Sequence, residues 1–370
     1  MLLKVKQLQE AANKILTAVD NGEISSVVNE TLELVVTGNQ LWLNVTNGEY
    51  YARVKQDLEQ PEDFRAVVDA KLFLNLMSKL TSEDIELKAT ETTLIIKADG
   101  SYKLPLIYNG NSLVNLPEIT IDNVTSEFNI SSEVLLSILN YNSRELSKTE
   151  VVKPVQRLYY VDEQGCITFT TGACVNSFVL PSPVKLLLNQ KLVKLFRLFK
   201  EEDVKFTLGY DQAGNVIQTK VKFETDDISI TAITSTDESL IRTVPADAIR
   251  KRATANYNYQ VVVSKQTMIS ALTRLLLFNT SRGGNFKNFG TLDFTTAGIN
   301  IYDSNKDNRE TIAYIESNVD DNYSTMVDIN SLKSVLDGCQ EDVISLSFGN
   351  KQCIVISRGN VKNILPEAHQ

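Results

Sequence analysis

The sequence predicts an α+β protein of three similar domains, in which each domain carries two helices packed on antiparallel sheets. The first observation is a recurring unit, an amphipathic helix that ends in acidic residues and leads into an alternating strand, in residues 69–87, 189–206 and 328–345. The second is its spacing, because the strands that open at Ile85, Val204 and Val343 lie 119 and 139 residues apart. Such a period exceeds the 20–50 residues of solenoid repeats and fits a small domain.

The segment 189–206 is the most informative copy of this unit. Its apolar residues Leu192, Leu195, Phe196 and Phe199 follow the i, i+3, i+4, i+7 spacing of one helix face. Lys191, Lys194, Arg197 and Lys200 share the other half of the wheel, and no acid occurs between Lys185 and Lys200. The pattern fits a core helix with a solvated face. It also fits a local positive field for a polyanion, because salt screens the acids that lie more than about 8 Å away.

The first domain reads as strand, helix, strands, helix and strands. MLLKV is a short strand, and a helix follows with Leu8, Ala11, Ile15 and Val19 on one side. Asp20-Asn21-Gly22 is a typical helix end. Turn signals at Gly38-Asn39 and Asn47-Gly48 separate the next strands, and a helix over 69–81 precedes three more.

The second and third domains repeat this order. A strand at Phe128–Ile130 runs into serines that suit a helix start, and Ser264 is a natural N-cap in the third domain. Further helices are expected over 189–202 and 329–340. Joints at LPEITIDN and VPADAIRKR predict domains over 1–122, 123–252 and 253–370.

Composition excludes several classes of function. The chain has 370 residues, 43% hydrophobic and 22% charged, as in soluble globular proteins. The only histidine is His369, which argues against histidine-based catalysis and metal binding, and no CxxC, P-loop, GxGxxG or GxSxG occurs. Cys166, Cys174, Cys339 and Cys353 are expected to be reduced thiols in a cytoplasmic protein, because the N-terminus is not a signal peptide. No cofactor or metal is expected. The net charge of −9 argues against uniform coating by nucleic acid but allows segregated charge.

Five stretches resemble the sliding clamp of bacterial replication, the beta subunit of the replicative DNA polymerase. They are residues 69–106 with the KLPL strand, LWLNVTNGEYYARV, RLYYVDEQGCITFTT, GTLDFTTAGINIYDSNKDNRETIAYIE and the final ILP. The resemblance covers essentially the whole chain at low identity. It fits a divergent clamp, phage-encoded or otherwise. A phage-encoded clamp would act in the cytoplasm of the host.

The resemblance implies a non-enzymatic processivity factor. In that family, helices line a closed homodimeric ring around duplex DNA, and strands form its outer layer. Sequence-independent sliding needs many weak phosphate contacts, which lysine and arginine supply. Helix positions then give a set of inward cations, Lys14, Lys71, Lys79, Lys191, Lys194, Arg197, Lys200, Arg274 and Lys333. Loop positions add Arg144, Lys148, Lys153, Arg282 and Lys287. For any one of these residues a solvated surface charge is favoured over a DNA contact, except in the group 191–200, where the DNA contact is favoured.

The resemblance also implies two protein contacts. A cleft for short hydrophobic peptides of the polymerase and the clamp loader would be formed by Tyr160, Thr171, Cys174, Val175, Val244, Pro245, Ile364, Leu365 and Pro366. TGACVN replaces the family's usual Asp-Gly-His-Arg turn, and EAHQ extends past Pro366, so the cleft is either altered or lost. A head-to-tail ring seam would join Leu104 and Leu106 of one chain to Leu277 and Phe278 of the next.

Two other readings are possible from the sequence alone. The repeated domains of an acidic, β-rich structural or assembly protein would serve only self-association, without DNA binding. A hydrolase that uses paired carboxylates such as Asp320-Asp321 is weaker, because adjacent acids in a turn are usually solvated.

Overall fold

A computed structural model gives the structure of this chain and describes residues 1–19, 28–146, 153–200, 203–214, 216–279 and 288–368. The fold is α+β, with helices packed on antiparallel sheets, as the sequence predicts. The chain forms two compact units. One contains residues 1–135 and 191–235, and the other contains residues 136–190 and 236–370.

Strands and helices follow one another in the order that the repeated sequence units predict. In chain order they are β1 (Leu2–Lys4), β2 (Thr31–Thr37), β3 (Gln40–Thr46), β4 (Tyr50–Asp57), β5 (Arg65–Asp69), β6 (Asp84–Ala89), β7 (Thr93–Lys97), β8 (Ser101–Pro105), β9 (Tyr108–Asn109), β10 (Ser112–Leu113), β11 (Asn123–Ser131), β12 (Tyr159–Asp162), β13 (Gly165–Phe169), β14 (Ala173–Ser177), β15 (Lys185–Leu188), β16 (Asp203–Ala213), β17 (Val216–Glu224), β18 (Ile228–Ile233), β19 (Tyr259–Ser264), β20 (Phe289–Phe294), β21 (Ile299–Tyr302), β22 (Arg309–Ile312), β23 (Glu316–Ser317), β24 (Tyr323–Asp328), β25 (Val343–Phe348), β26 (Cys353–Arg358) and β27 (Val361–Pro366).

Six of the helices each follow directly on a strand or one residue after it. The α-helices are α1 (Val5–Leu16), α2 (Ala70–Met77), α3 (Ser132–Tyr141), α4 (Gln190–Lys194), α5 (Glu238–Ile241), α6 (Ala246–Ala253), α7 (Lys265–Asn279) and α8 (Ile329–Asp337). Short 3-10 turns occupy Val28–Glu30, Asn142–Glu145, Pro154–Arg157 and Leu195–Leu198. Asp69 and Asp328 cap α2 and α8, because each carboxylate accepts backbone N–H groups of the first turn.

Apart from β9, β10 and β23, the strands form six four-stranded blocks of two kinds. Three blocks have the strand orders β1-β6-β7-β8, β11-β16-β17-β18 and β19-β25-β26-β27. The other three have the orders β5-β2-β3-β4, β15-β12-β13-β14 and β24-β20-β21-β22. Each predicted domain therefore contains one block of each kind, in keeping with the order of strand, helix, strands, helix and strands in the first domain.

Blocks of different kinds join edge to edge within each unit. In the first unit β18 pairs antiparallel with β4, for example Ile230 with Ala52. In the second unit β14 pairs antiparallel with β27, for example Cys174 with Asn363. The strand order places β8 and β22 at ends of their sheets within the described part of the chain.

Apolar side chains between the helices and the sheets form the core. In the second unit the rings of Phe294 and Phe348 stack at 3.7 Å, and Leu272 and Leu336 of α7 and α8 are fully buried beside them. In the first unit Leu8, Ile15 and Phe73 of α1 and α2 are fully buried. Burial of each such side chain contributes about 2–3 kcal/mol, so the apolar helix faces fix the helices to the sheets.

Three local features differ from the sequence prediction. The helix expected over 189–202 is shorter and changes to a 3-10 turn after Lys194. The joint VPADAIRKR carries α6 and is not merely a linker. Residues 20–22, the predicted end of α1, lie outside the described residues, and α1 itself ends at Leu16.

Candidate nucleic-acid interface and partner pocket

The segment 190–200 exposes a cation at every third position. Lys191, Lys194, Arg197 and Lys200, here called the basic row, are exposed. The residues between them are all buried: Leu192, Val193, Leu195, Phe196, Leu198 and Phe199. A 3-10 turn has three residues per turn, so positions i and i+3 eclipse. Lys194 and Arg197 therefore stack in line, where a continuous α-helix would spread the row around its axis.

Aromatic packing holds the basic row outward. The ring centroids of Phe196 and Phe199 lie 4.9 and 6.4 Å from that of Phe223 in β17. The Arg197 Nε donates to the Lys194 carbonyl at 2.8 Å, and the Lys191 Nζ lies 3.7 Å from the Glu49 carboxylate. The apolar side of the segment thus packs on the sheet, and its cations face solvent.

The other predicted helix cations divide into exposed and ion-paired groups. Lys71 and Lys79 are exposed. The Lys14 Nζ lies 3.7 Å from Asp227, and the Lys333 Nζ lies 2.7 Å from Asp337.

Arg274 forms a bidentate pair with Glu310 of β22, with N–O distances of 2.6 and 2.7 Å. This hydrogen bonding holds the pKa of Glu310 below its usual range. Arg274 therefore braces the edge strand β22 against α7, which is a different task from the one predicted from its helix position.

The predicted loop cations are only partly described. The Arg144 guanidinium donates to the Ser334 carbonyl at 3.2 Å and lies against Gly338 at the end of α8. Lys153 is exposed just before a 3-10 turn. Lys148, Arg282 and Lys287 lie outside the described residues.

A pocket in the second unit gathers part of the predicted cleft. It measures about 150 Å³ and is lined by Phe169, Thr170, Thr171, Gly172, Ala173, Pro245, Ile249, Arg252, Cys353, Ile364 and Pro366. Four of the nine predicted residues are in that lining: Thr171, Pro245, Ile364 and Pro366. Tyr160, Val175 and Val244 belong to the apolar cluster that supports Ile364, so they pack behind the pocket lining.

The two remaining cleft residues lie outside this pocket. Leu365 belongs to the separate core cluster of α7 and α8, since it points to the opposite face of β27 from Ile364. Cys174 is fully buried beneath the turn of Asn142, which donates to its carbonyl at 3.4 Å. All four cysteines are free and buried.

The tail that follows Pro366 is fixed away from the pocket. Glu367 accepts hydrogen bonds from the Tyr323 and Thr325 hydroxyls, and the Ala368 N–H donates to the Met326 carbonyl at 2.8 Å. As far as Ala368, the EAHQ extension is therefore not part of the pocket lining. His369 and Gln370 lie outside the described residues.

The predicted seam residues fall into two different environments. Leu277 and Phe278, near the end of α7, are 69% and 52% exposed. Leu104 and Leu106 are buried within their own chain, where Leu104 pairs with Leu94. Alternation along β8 turns Leu104 inward and leaves Lys103 and Pro105 exposed. Leu104 and Leu106 therefore contribute to the core and not to an exposed surface.

Comparison with known proteins agrees with this arrangement. Residues 1–131 match the family model of the DNA polymerase III beta subunit, N-terminal domain. The whole chain is similar to the DNA polymerase III subunit beta of Pseudomonas aeruginosa, with a TM-score of 0.78 and 16% identity over 100% of both chains. It is also similar to the Bacillus subtilis sliding clamp and the Streptococcus pneumoniae beta chain, each with a TM-score of 0.78 and 12% identity over 100% of this chain and 98% or 99% of theirs. No curated protein matches the chain by sequence.

The chain has the sliding-clamp fold. The resemblance predicted from the sequence is thereby confirmed for the fold of the whole chain, and by the family model over residues 1–131. In the described residues of this clamp fold, no helix is long and apolar enough to cross a membrane. The same residues contain no group of three or more acidic, cysteine or histidine side chains that could hold a metal ion.

Sequence reasoning missed several lining residues of the pocket, above all those of α6. Ile249 and Ala253 are buried at helical spacing, and Arg252 between them reaches the pocket. The i, i+4 spacing of the apolar residues Ile249 and Ala253 after Pro245 was an available signal for this helix. No sequence signal marked Gly172, because its role depends on how closely its backbone approaches Ile364 and Glu145. A Cβ there would lie 2.7 Å from the Ile364 carbonyl and 3.2 Å from the Glu145 carboxylate.

Glu145, behind the pocket turn, should make stability depend on pH. Burial raises the pKa of its carboxyl to about 7, although Arg358 acts in the opposite direction. Between the usual glutamate pKa near 4.5 and about 7, the folded chain binds more protons here than the unfolded chain. The free energy of unfolding therefore falls as pH rises through this window.

Glu145→Gln, which mimics the protonated acid, should be more stable than wild type by about 2–3 kcal/mol near pH 8. The difference should vanish near pH 4. Urea unfolding of both proteins across this range measures it, and Glu133→Gln, at an exposed site in α3, is the control. An equal free-energy difference at all pH values would contradict the raised pKa.

Proposed function

We propose that this chain is a DNA sliding clamp, a processivity factor that encircles duplex DNA, tethers the replicative polymerase and has no catalysis of its own. The observation that carries the proposal is the clamp fold over the full chain together with an exposed basic row on one of its helices. The domains would be residues 1–122, 123–252 and 253–370. Each domain would contain one four-stranded block of each of the two kinds.

The proposed DNA contact is electrostatic and independent of sequence. Lysine and arginine that touch phosphates supply affinity without reading bases, which permits movement along the duplex. The basic row is the strongest candidate, because its side chains are exposed together on one short segment. Lys71, Lys79 and Lys153 are exposed candidates of lower weight, whereas Lys14, Arg274 and Lys333 are already near carboxylates.

Ring closure is proposed to repeat a junction that the chain already contains. β8 occupies the block position of β18 and β27, while β22 occupies that of β4 and β14. Those strands pair antiparallel as β4 with β18 and as β14 with β27. Two copies placed head to tail would pair β8 of one with β22 of the other. The result would be a homodimer with two equivalent seams.

The same equivalence locates the side chains of the seam. Ser131 and Ser264 take matching places opposite the first residues of β16 and β25. Leu277 lies as many residues after Ser264 as Arg144 lies after Ser131, so Leu277 takes the place of Arg144. Arg144 reaches the end of α8 at the β14–β27 junction. Leu277 would accordingly meet the end of α2 in the second copy, near Asn75 and Lys79.

The pocket is proposed to receive short hydrophobic peptides of the polymerase and of a clamp loader. Its apolar lining from Phe169, Ile249, Ile364 and Pro366 supports this role. The protein would act on DNA in the cytoplasm, in a host cytoplasm if the chain is phage-encoded.

Retention on closed DNA tests the topological function. Loaded onto nicked circular duplex, the protein should remain bound through gel filtration at a salt concentration that removes direct contacts. Linearising the same circle should release it, because a ring slides off an open end. Equal retention on both forms would contradict encirclement, and the β8–β22 seam would then have no topological role.

A further inference from the structure

Among the described residues that line the pocket, Arg252 is the single charged one. The other lining side chains are apolar, or are threonine, glycine and cysteine. Within the described residues no acid lines the pocket, and one carboxylate oxygen of the nearby Glu367 accepts hydrogen bonds from the Tyr323 and Thr325 hydroxyls. The pocket therefore combines an apolar wall with a guanidinium that makes no ion pair within the described part of the chain.

The helix that carries Arg252 is fixed at several points. Arg250 makes a bidentate pair with the buried Asp162 of β12, with N–O distances of 2.8 and 2.5 Å. The Lys362 ammonium donates to the Ala253 carbonyl at 2.9 Å and so caps the end of α6. The Tyr257 hydroxyl donates to the Arg252 carbonyl at 2.7 Å. The backbone of Arg252 is thus held in place before any ligand arrives, which lowers the entropic cost of an ion pair.

The apolar part of the pocket determines which second group a ligand must present besides the one that meets Arg252. A cavity of 150 Å³ lined by apolar side chains can hold a benzene-sized group. This pocket, at about 150 Å³, has room for one large apolar side chain. A ligand that fills it and extends along α6 would bring its next group toward Arg252.

We propose that Arg252 selects peptides that place a carboxylate beside the apolar residue filling the pocket. This assignment rests on the proposed role of the pocket as a peptide site. The carboxylate can come from an aspartate or glutamate side chain or from the C-terminus of the partner chain. A guanidinium forms bidentate, charge-assisted hydrogen bonds with either source.

The test measures binding of labelled peptides acetyl-Ala-Ala-Leu-Phe-Xaa-Ala-amide, with Xaa aspartate, asparagine or lysine, by fluorescence anisotropy. A second pair, acetyl-Ala-Ala-Leu-Phe with a free or amidated C-terminus, separates the two carboxylate sources. Wild type should bind at least one carboxylate peptide about fivefold more tightly than its neutral partner, the range expected of an exposed ion pair. Arg252→Gln should abolish the preference, and Arg252→Glu should turn it toward lysine.

Lys251→Gln is the matched control, because Lys251 is an exposed cation on the same helix but does not line the pocket. It should keep the wild-type preference. If all peptides bind wild type equally, the pocket still takes peptides but Arg252 does not select them. If none binds, the proposed function of the pocket fails and the selection by Arg252 fails with it.

Discussion

Replacing Lys194, Arg197 and Lys200 together by glutamate should weaken binding to duplex DNA about a hundredfold at about 0.15 M salt. Exposed ion pairs contribute up to about 1 kcal/mol each, and about 3 kcal/mol corresponds to that factor. Lys191 is left unchanged, because its ammonium lies near Glu49 and reversal would set two carboxylates together. Anisotropy titrations with a short linear duplex measure the affinity directly.

The salt dependence gives a second readout of the same contacts. A glutamine version of the triple variant should lower the slope of log K against log salt by about 2.7, roughly 0.9 for each lost phosphate contact. The control replaces Lys88, Lys185 and Lys251, three exposed lysines outside the basic row, by glutamate. It carries the same change in net charge and should retain most of the affinity. Equal losses in both triple variants would contradict a localised DNA contact.

Leu277→Asp should convert the proposed dimer into a monomer. Loss of a buried leucine costs about 2–3 kcal/mol at each seam, and a carboxylate left in an apolar contact adds to that cost. Since a dimer ring has two seams, the dissociation constant should rise by about ten-thousandfold. Sedimentation velocity over a range of concentrations measures the shift.

Val179→Asp is the control for this change. Val179 is 88% exposed, so it presents an apolar side chain to solvent as Leu277 does, but it lies outside α7 and β22. The control should sediment as wild type does. A dimer that survives Leu277→Asp unchanged would place the seam elsewhere.

The repeated helix–strand units made much of the fold predictable. Strands that open at Ile85, Val204 and Val343 lie where the sequence placed them, to within one residue. The change to a 3-10 turn after Lys194 was missed because the helical pattern used only Leu192, Leu195, Phe196 and Phe199. Val193 and Leu198 are also buried, and together with their neighbours they give a period of three that favours a 3-10 turn.

The candidate sites were less predictable, because they depend on contacts between distant segments. Arg274 had the helix position of an inward cation, but Glu310 of β22 engages it. Leu104 and Leu106 are apolar whether they face a partner or the core, and only strand pairing decides which. Arg252 became visible as a pocket residue only when α6 was placed beside β27.

The central claim is that two chains close a ring around DNA, and a solution mass combined with a low-resolution electron image of the same sample tests it most directly. The predicted result is a mass of about 83 kDa, twice the 41.3 kDa of one chain, and a ring whose central hole is wide enough for duplex DNA. A stable monomer under conditions of DNA retention, or an assembly without a hole, would contradict the account.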